Sequence, residues 1–192
     1  MSKTFEIRWH GRGGQGAKTA SLLLADVAFT QGMYVQGFPE YGPERMGAPI
    51  TAYNRLSTPP LRIHSNIYTP DIVVVVDESL LSAVDVTAGL KEGGILIVNS
   101  QRSAEQVRKT FAGVNCKVYK IDAKAVSMRN LGRNMPNTPL LSSVVSVSGM
   151  MEAEAFFENM RGSFAHKFAS KPDELEGNMN AIRDAWKEVM PL

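Results

Sequence analysis

A glycine-rich stretch between an apolar segment and a helical segment constrains the fold of this chain most strongly. The stretch consists of Gly11, Arg12, Gly13, Gly14, Gln15 and Gly16. It follows the strand-like residues 5–9 and precedes residues 18–31, whose apolar side chains recur at helical spacing. Glycines allow a tight turn and a close approach of the backbone to a ligand, and a helix N-terminus carries partial positive charge. With the added charges of Arg12 and Lys18, the pattern indicates an anion-binding turn.

The spacing of Gly11, Gly13 and Gly16 also fits the G-x-G-x-x-G fingerprint of dinucleotide-binding proteins. That fingerprint needs an acidic residue at the end of the second strand, where it binds the ribose hydroxyls. We expect the second strand at residues 33–37, and Gln36 occupies the position of the acid. Glu40 follows only inside a loop rich in proline and glycine. The sequence therefore argues against NAD binding and leaves two interpretations, a phosphate site or a tight turn without a ligand.

Length and composition predict one soluble domain without a cofactor site of its own. The 192 residues can bury a substantial core, and we expect a single domain over residues 1–192 with a helical C-terminal extension over about 150–192. A formal net charge of +2 without blocks of like charge argues against a nucleic-acid partner. We see no signal peptide and no apolar run near the roughly 20 residues of a membrane helix, so we expect a cytoplasmic protein without a membrane partner. The single cysteine, Cys116, and the scattered His10, His64 and His166 predict neither a cluster nor a metal site.

Strand-like and helical segments alternate along most of the chain. We expect strands at residues 5–9, 33–37, 50–56, 61–67, 72–76, 95–98 and 117–121, and helices at 18–31, 104–110 and 172–190. The valine run at 72–76 is apolar on both faces, which is typical of a central parallel strand. Asp77 and Glu78 stand where a helix would begin after it, and Ser170 stands where it could cap the last helix. The order predicts an α/β fold with an open, mostly parallel, doubly wound (Rossmann-like) sheet, helices on both faces and a helical C-terminal segment.

A second informative stretch follows the second expected strand. It contains Glu40, Tyr41, Gly42, Pro43, Glu44 and Arg45. Its prolines and glycines restrict the backbone, and rigid polar loops commonly present side chains to a ligand or a partner. The alternative is an ordered connection in which Arg45 pairs with Glu40 or Glu44. In a doubly wound sheet this loop and the glycine stretch share the carboxyl edge, where such sheets bind ligands, and Asn99 and Ser100 should lie at the same edge.

No residues stand at the spacing of a nucleophile and its base, and no carboxylate pair has companions suited to a metal. We therefore expect a binding chain or a subunit with no catalytic residue and no metal of its own.

Residues 9–18 (WHGRGGQGAK) and 39–49 (PEYGPERMGAP) closely resemble the gamma subunits of pyruvate:ferredoxin oxidoreductases, within the 2-oxoacid:ferredoxin oxidoreductase family. Residues 70–71, 94–99 and 136–139, the last group including Asn137, are similar to later signatures of that family. The match runs in order from about residue 5 to residue 141, and the remaining tail is less similar.

The resemblance implies a subunit of an enzyme that converts pyruvate, coenzyme A and oxidised ferredoxin to acetyl-CoA, CO2 and reduced ferredoxin. In such complexes thiamine diphosphate with Mg²⁺ supports the carbanion chemistry, and [4Fe–4S] clusters carry the electrons. This sequence has neither a cysteine-rich cluster motif nor a Gly-Asp-Gly motif for magnesium diphosphate. The resemblance therefore implies that alpha, beta and delta subunits bind these cofactors, that this chain binds none, and that ferredoxin is reached through the complex.

Two hypotheses describe what the chain itself does. In the first, the glycine stretch, Arg12, Lys18 and Arg45 lie near the phosphates of coenzyme A and shape its entrance, supported by Asn99 and Asn137. In the second, the loops only dock the chain onto the thiamine-bearing subunits. The sequence of the second loop resembles that of the pyruvate enzymes, which favours pyruvate as the substrate. Related enzymes act on 2-oxoglutarate, branched-chain oxo acids or indolepyruvate, and these are the alternatives. A free-standing nucleotide-binding protein is a further alternative.

Overall fold

The computed structural model describes residues 4–40 and 47–192. The strands are β1 Thr4–Arg12, β2 Tyr34–Glu40, β3 Pro49–Ser57, β4 Ile72–Val75, β5 Ile95–Asn99, β6 Lys117–Ile121 and β7 Met190–Pro191. The helices are α1 Ala17–Thr30, α2 Ala104–Thr110, α3 Ala123–Leu131, α4 Asn137–Ser148, α5 Ala153–Lys167 and α6 Pro172–Glu188, with a short 3-10 helix at Glu78–Ser82.

The strands form one mixed sheet in the order β2-β3-β1-β4-β5-β6-β7. β1, β4, β5 and β6 are mutually parallel, and β3 is antiparallel to both β1 and β2. β2 therefore runs in the direction of β1, and only β3 and β7 run the opposite way. The predicted α/β class with a mostly parallel sheet is confirmed.

The helices are distributed unequally over the two faces of the sheet. Residues of α1, α3, α4, α5 and α6 share one buried cluster with Ile7 and Trp9 of β1. On the other face, Val107 of α2 packs against alternate residues of β4 and β5, such as Val73 and Leu96. The buried valines of β4 thus serve both faces, as expected for a central parallel strand.

A buried polar chain fixes α1 over the sheet. Trp9 is fully buried, and its indole Nε1 donates a hydrogen bond of 2.8 Å to Oδ1 of Asn54. Asn54 in turn donates from Nδ2 to the carbonyl oxygen of Ser21 in α1, at 2.7 Å. Because buried polar groups are costly without partners, these bonds define how α1 lies against β1 and β3. The start of α1 is thereby held at the carboxyl edge of β1.

Three strand predictions need correction. β1 continues to Arg12, because its last residues pair with the start of β3, so Gly11 and Arg12 belong to the strand and not to the turn. β2 spans Tyr34–Glu40 and not 33–37; it is an edge strand, where Pro39 is tolerated without a backbone donor. The strand expected at 61–67 is wrong, because both edges of β3 are already taken by β1 and β2.

The predictions for the last helix were partly wrong. α6 begins at Pro172 with Lys171 at its N-cap and without a side-chain capping bond, so Ser170 does not cap it. The helix ends at Glu188, and Met190 lies in β7 next to β6, with 46% of its surface exposed. α6 packs against α3 and α4, where Met179 and Ile182 are fully buried.

Candidate functional site

The glycine stretch forms the connection between β1 and α1. Gly14 and Gly16 have φ angles of +92° and +83°, a region that residues with a Cβ rarely adopt. Gly11 serves a different purpose, since a Cβ there would lie 3.1 Å from the Cβ of Ala17. Gly13 pairs through its backbone with the residue just before β3, donating to the carbonyl oxygen of Ala48 at 3.0 Å. The turn is thus built into the sheet edge on one side and into α1 on the other.

Arg12 joins three segments at this edge. Its Nε donates to the Oγ of Ser79 at 2.9 Å, and its Nη1 donates to the carbonyl oxygen of Gly47 at 3.0 Å. Nε also lies 3.7 Å from a carboxylate oxygen of Asp77. We call these contacts the Arg12 clamp. It ties the end of the second loop to the residues that follow β4.

Gln15 and Asp77 complete the turn. The Gln15 side chain accepts from the backbone N–H of Arg12 and donates to the Asp77 carboxylate. Burial raises the pKa of Asp77, but hydrogen bonds from Gln15 and Ser79 and the charge of Arg12 outweigh it and lower the pKa below its usual value. Asp77 is therefore ionised at neutral pH and engaged by its neighbours.

A cavity of about 560 Å³ opens beside the glycine turn, and we call it the rim cavity. Its wall comes from Gly14 to Gly16 with Thr19, residues 76–78 after β4, residues 99–101 at the end of β5 and just after it, Lys124 of α3, residues 134–137 before and at the start of α4, and Lys167 of α5. The predicted meeting of the glycine turn with Asn99 and Ser100 at one sheet edge is thus what the structure shows. Lys18 is exposed in the first turn of α1 and does not line this cavity.

The two asparagines selected from the sequence differ in their bonding. Asn99 donates from Nδ2 to the carbonyl oxygen of Val76 and accepts at Oδ1 from the backbone N–H of Ala123, both at 2.9 Å. Its amide therefore braces β4, β5 and α3 against one another. Asn137 is only 5% exposed and packs over Gly16, where an added Cβ would lie 3.0 Å from the Asn137 Cβ.

Glu40 is the residue of the second loop's predicted set that lies within the described residues. Tyr41, Gly42, Pro43, Glu44 and Arg45 lie outside the described residues, so their predicted roles and the pairing of Arg45 rest on the sequence. Glu40 accepts a hydrogen bond of 2.6 Å from the hydroxyl of Tyr53. Burial and this bond to Glu40 raise the pKa of Tyr53.

The sheet order adds a physical reason against NAD binding. In the dinucleotide fold the acid ends the strand adjacent to the glycine strand. Here β3 separates β1 from β2. Gln36 accepts from the guanidinium of Arg55 and donates to the carbonyl oxygen of Ile63, so its side chain is used inside the fold.

Arg8 and His10 form a buried pair on β1, on the same face as Arg12. Arg8 Nε donates to His10 Nε2 at 3.0 Å, and its Nη2 donates to the carbonyl oxygens of Val86 and Ala88. Burial, followed by the charge of Arg8, lowers the pKa of His10 to about 4. His10 is therefore neutral at physiological pH, with its proton on Nδ1 since Nε2 accepts.

Sequence reasoning missed the two cations of the rim cavity, Lys124 and Lys167. They lie on α3 and α5, more than a hundred residues from the glycine turn, and neither stands in a recognisable motif. The packing of α3 against α4 and α6, and of α5 against α1, brings them to the cavity.

The described residues contain no helix suited to crossing a membrane. Over residues 4–40 and 47–192, no three side chains among His, Cys, Asp and Glu gather as a metal site would require.

Comparison with known proteins decides the family. Residues 6–188 match the protein family described as Pyruvate ferredoxin/flavodoxin oxidoreductase. This chain belongs to that family. The resemblance seen in the sequence is therefore confirmed.

Several family members are similar over nearly their whole length. The pyruvate synthase subunit PorC of Thermotoga maritima is 46% identical over 188 residues, covering 97% of this chain and 95% of that protein. The pyruvate/ketoisovalerate oxidoreductases common subunit gamma of Thermococcus litoralis is 43% identical, covering 96% of this chain and 97% of that protein.

Solved structures agree with the fold. The crystal structure of the pyruvate oxidoreductase subunit PORC of Thermotoga maritima has a TM-score of 0.83 at 41% identity and covers 98% of each chain. A 2-oxoglutarate:ferredoxin oxidoreductase from Magnetococcus marinus has a TM-score of 0.71 at 17% identity, which shows the fold alone. This chain covers only 30% of that longer chain. The same fold therefore occurs both as a separate subunit and as one part of a larger polypeptide.

Proposed function

We propose that this chain is the gamma subunit of a pyruvate:ferredoxin oxidoreductase complex. The observation that carries the proposal is the 46% identity to the Thermotoga maritima pyruvate synthase subunit over nearly the full length of both chains. The complex converts pyruvate, coenzyme A and oxidised ferredoxin to acetyl-CoA, CO2 and reduced ferredoxin. Relatives named for both pyruvate and ketoisovalerate are about as similar, at 43% identity, so one gamma subunit serving two oxo-acid enzymes is the second candidate.

Partner chains are better suited than this chain to binding the reactive cofactors. A [4Fe–4S] cluster takes several cysteine ligands, and the chain has one cysteine. Burial raises the pKa of the Cys116 thiol, which disfavours the thiolate that a metal needs. We propose that thiamine diphosphate, Mg²⁺ and the clusters are bound by alpha, beta and delta subunits, and that ferredoxin is reached through them.

We further propose that the carboxyl edge of the sheet, with the glycine turn, faces coenzyme A. The rim cavity supports this proposal, because it joins two helix starts and two lysines at the edge where open α/β sheets bind ligands. The role we propose for Arg12 differs from the one expected from the sequence, which placed its side chain near the phosphates of coenzyme A. Two of its guanidinium nitrogens already donate to Gly47 and Ser79, so it acts on a ligand through the position of the turn.

Anaerobic co-purification tests the subunit assignment. A tagged copy of this chain, expressed in its own host, should carry with it a thiamine diphosphate-binding chain and an iron–sulfur chain. The assembled complex should reduce ferredoxin with pyruvate and coenzyme A, and the chain alone should not. Pyruvate oxidation by the isolated chain, or its elution without such partners, contradicts the proposal. Activity with 3-methyl-2-oxobutanoate (ketoisovalerate) in a second co-purifying complex would favour the shared-subunit candidate.

A further inference from the structure

β2 forms one edge of the sheet, and its outer side is open within the described part of the chain. Over residues 4–40 and 47–192, β3 is the one strand that pairs with β2, and no backbone hydrogen bond joins β2 to any other segment. Each residue of β2 is at least partly exposed. Roughly half of the backbone N–H and C=O groups of an edge strand face away from the sheet. These groups of β2 need either water or a further strand as partners.

Edge strands are commonly protected against pairing with other chains, and β2 has little such protection. Proteins shorten an edge strand or place proline, a bulge or charged side chains on it. β7, at the other edge of the sheet, follows this pattern, because it has two residues and one of them is Pro191. β2 has seven residues in unbroken register with β3, and Pro39 and Glu40 lie at its end. The first five residues of β2 therefore offer an edge that a further strand can join.

A groove of about 610 Å³ runs along this edge, and we call it the edge groove. Its walls are residues 34–38 of β2 on one side and Leu61, His64 and Asn66 on the other. Among the described residues that line it there is no carboxylate, lysine or arginine. Successive side chains of a strand point to opposite faces of a sheet, so alternate residues of an added strand would point into the groove. The groove suits side chains that are uncharged.

Exposed apolar surface lies at the same place. Tyr34 is 49% exposed, and Ile63, whose carbonyl oxygen accepts a hydrogen bond of 2.8 Å from Gln36, is 58% exposed. Phe38 forms a firmer part of the wall, because its ring centroid lies 5.2 Å from that of the buried Tyr53 of β3. Clustered exposed apolar side chains are typical of interaction sites. Here they lie beside unpaired backbone groups, which a strand of another chain can bind.

We propose that an extended segment of another subunit adds to β2 as an eighth strand of the seven-stranded sheet, with alternate side chains in the edge groove. The backbone of β2 supplies hydrogen bonds to the added strand, and the groove supplies contacts to uncharged, apolar side chains. The inference rests on the proposed function, in which this chain is one subunit of a larger complex. A second copy of this chain is a poorer occupant, because Gly37 weakens its own β2 and Pro39 lacks a donor.

Hydrogen exchange of the isolated full chain and of the assembled complex tests the strand addition. The outward-facing amides among residues 34–38 should exchange rapidly in the isolated chain, because they are bonded to water. In the complex the same amides should exchange at least about 10-fold more slowly, since a hydrogen bond to the added strand must open first.

Tyr34→Lys is the informative variant, because a lysine on an edge strand opposes the addition of another strand. It should raise the Kd for the partner subunits, measured by dilution of the assembled complex, by about 10-fold or more, since tyrosines in grooves often dominate interfaces. Met190→Lys is the matched control, because Met190 is 46% exposed at the other edge of the same sheet. It should change the Kd by less than about twofold, and both isolated variants should keep urea midpoints close to that of the wild type.

A photoreactive p-benzoylphenylalanine in place of Tyr34 identifies the occupant. In the assembled complex it should crosslink to an extended, uncharged segment of a partner subunit. Crosslinking to a second copy of this chain overturns the inference, as does unchanged exchange of residues 34–38 on assembly or an equal Kd for Tyr34→Lys and the wild type. These results leave the subunit assignment intact, because co-purification is measured separately. Failure of the wild-type chain to co-purify with partner chains would instead remove the proposed function and the strand addition together.

Discussion

The packing of Asn137 over Gly16 predicts that Gly14 and Gly16, two residues apart and with similar φ angles, tolerate alanine very differently. Gly14→Ala and Gly16→Ala both place a Cβ on a left-handed residue, which costs roughly 1–2 kcal/mol. At Gly14 nothing lies within 4 Å of the new Cβ, so no further cost is expected. At Gly16 the Cβ would lie 3.0 Å from the Cβ and 3.1 Å from the Cγ of Asn137. Overpacking of this kind adds about 1–3 kcal/mol, because the opposing Cβ is fixed to the backbone of α4 at its first residue, and relief of the clash requires the backbone to shift.

Urea unfolding of the purified full chain measures both variants on one scale. Gly16→Ala should lower the free energy of unfolding by about 1–3 kcal/mol more than Gly14→Ala, with unchanged m-values. In an Asn137→Gly background the excess should largely vanish, because the opposing Cβ is gone. Equal losses for the two alanine variants, or an excess that survives removal of the Asn137 side chain, would refute the packing argument.

Three further predictions concern the buried polar groups of β1 and β3. The pKa of His10 lies at about 4, below its ordinary 6.5, so between these pH values the unfolded chain binds a proton that the folded chain does not. The free energy of unfolding should therefore rise with pH across that interval by up to about 3 kcal/mol and level off above it. In denaturation curves measured at several pH values, His10→Gln should flatten this rise. Arg55→Met should cost about 3–5 kcal/mol in urea unfolding, because Arg55 is 2% exposed and pairs with Glu6 at 2.8 Å, whereas the exposed Arg62→Met should stay within about 0.5 kcal/mol. Trp9→Phe should cost about 1–3 kcal/mol, measured in the same way, because it leaves Oδ1 of Asn54 without its donor.

Local patterns in the sequence predicted the parallel half of the sheet well. The valine run of β4 and the apolar segments of β5 and β6 are each bounded by polar or glycine residues, so their limits are recognisable without tertiary information. α2 was predicted at its observed bounds, and Ser103 with Gln106 forms a capping box at its start. In these elements the periodicity and the end signals agree.

The antiparallel half depends on pairing that no local pattern specifies. Residues 61–67 have the apolar character of a strand, yet β3 has no free edge for them. Their carbonyl groups at Ile63 and Ser65 instead accept hydrogen bonds from Arg55. The reach of β2 to Glu40 is likewise set by its pairing with β3.

The candidate site was predictable where its residues are close in sequence or end a strand. The glycine turn and Asn99 could be placed at the sheet edge from strand order alone. Lys124 and Lys167 could not be placed there, because their positions depend on how α3 and α5 pack against the other helices. No pattern in the sequence indicated that the guanidinium of Arg12 would donate hydrogen bonds to Gly47 and Ser79.

The Arg12 clamp couples the movement of the segments on either side of β1 at the sheet edge. One guanidinium holds the carbonyl of Gly47, the hydroxyl of Ser79 and, more weakly, the carboxylate of Asp77. Pulling Gly47 away from the sheet edge must therefore either break its bond to Arg12 or drag the start of the 3-10 helix with it. A force applied by a docked subunit at Gly47 would thus be transmitted across β1 to the segment after β4, where Asp77 and Glu78 line the rim cavity.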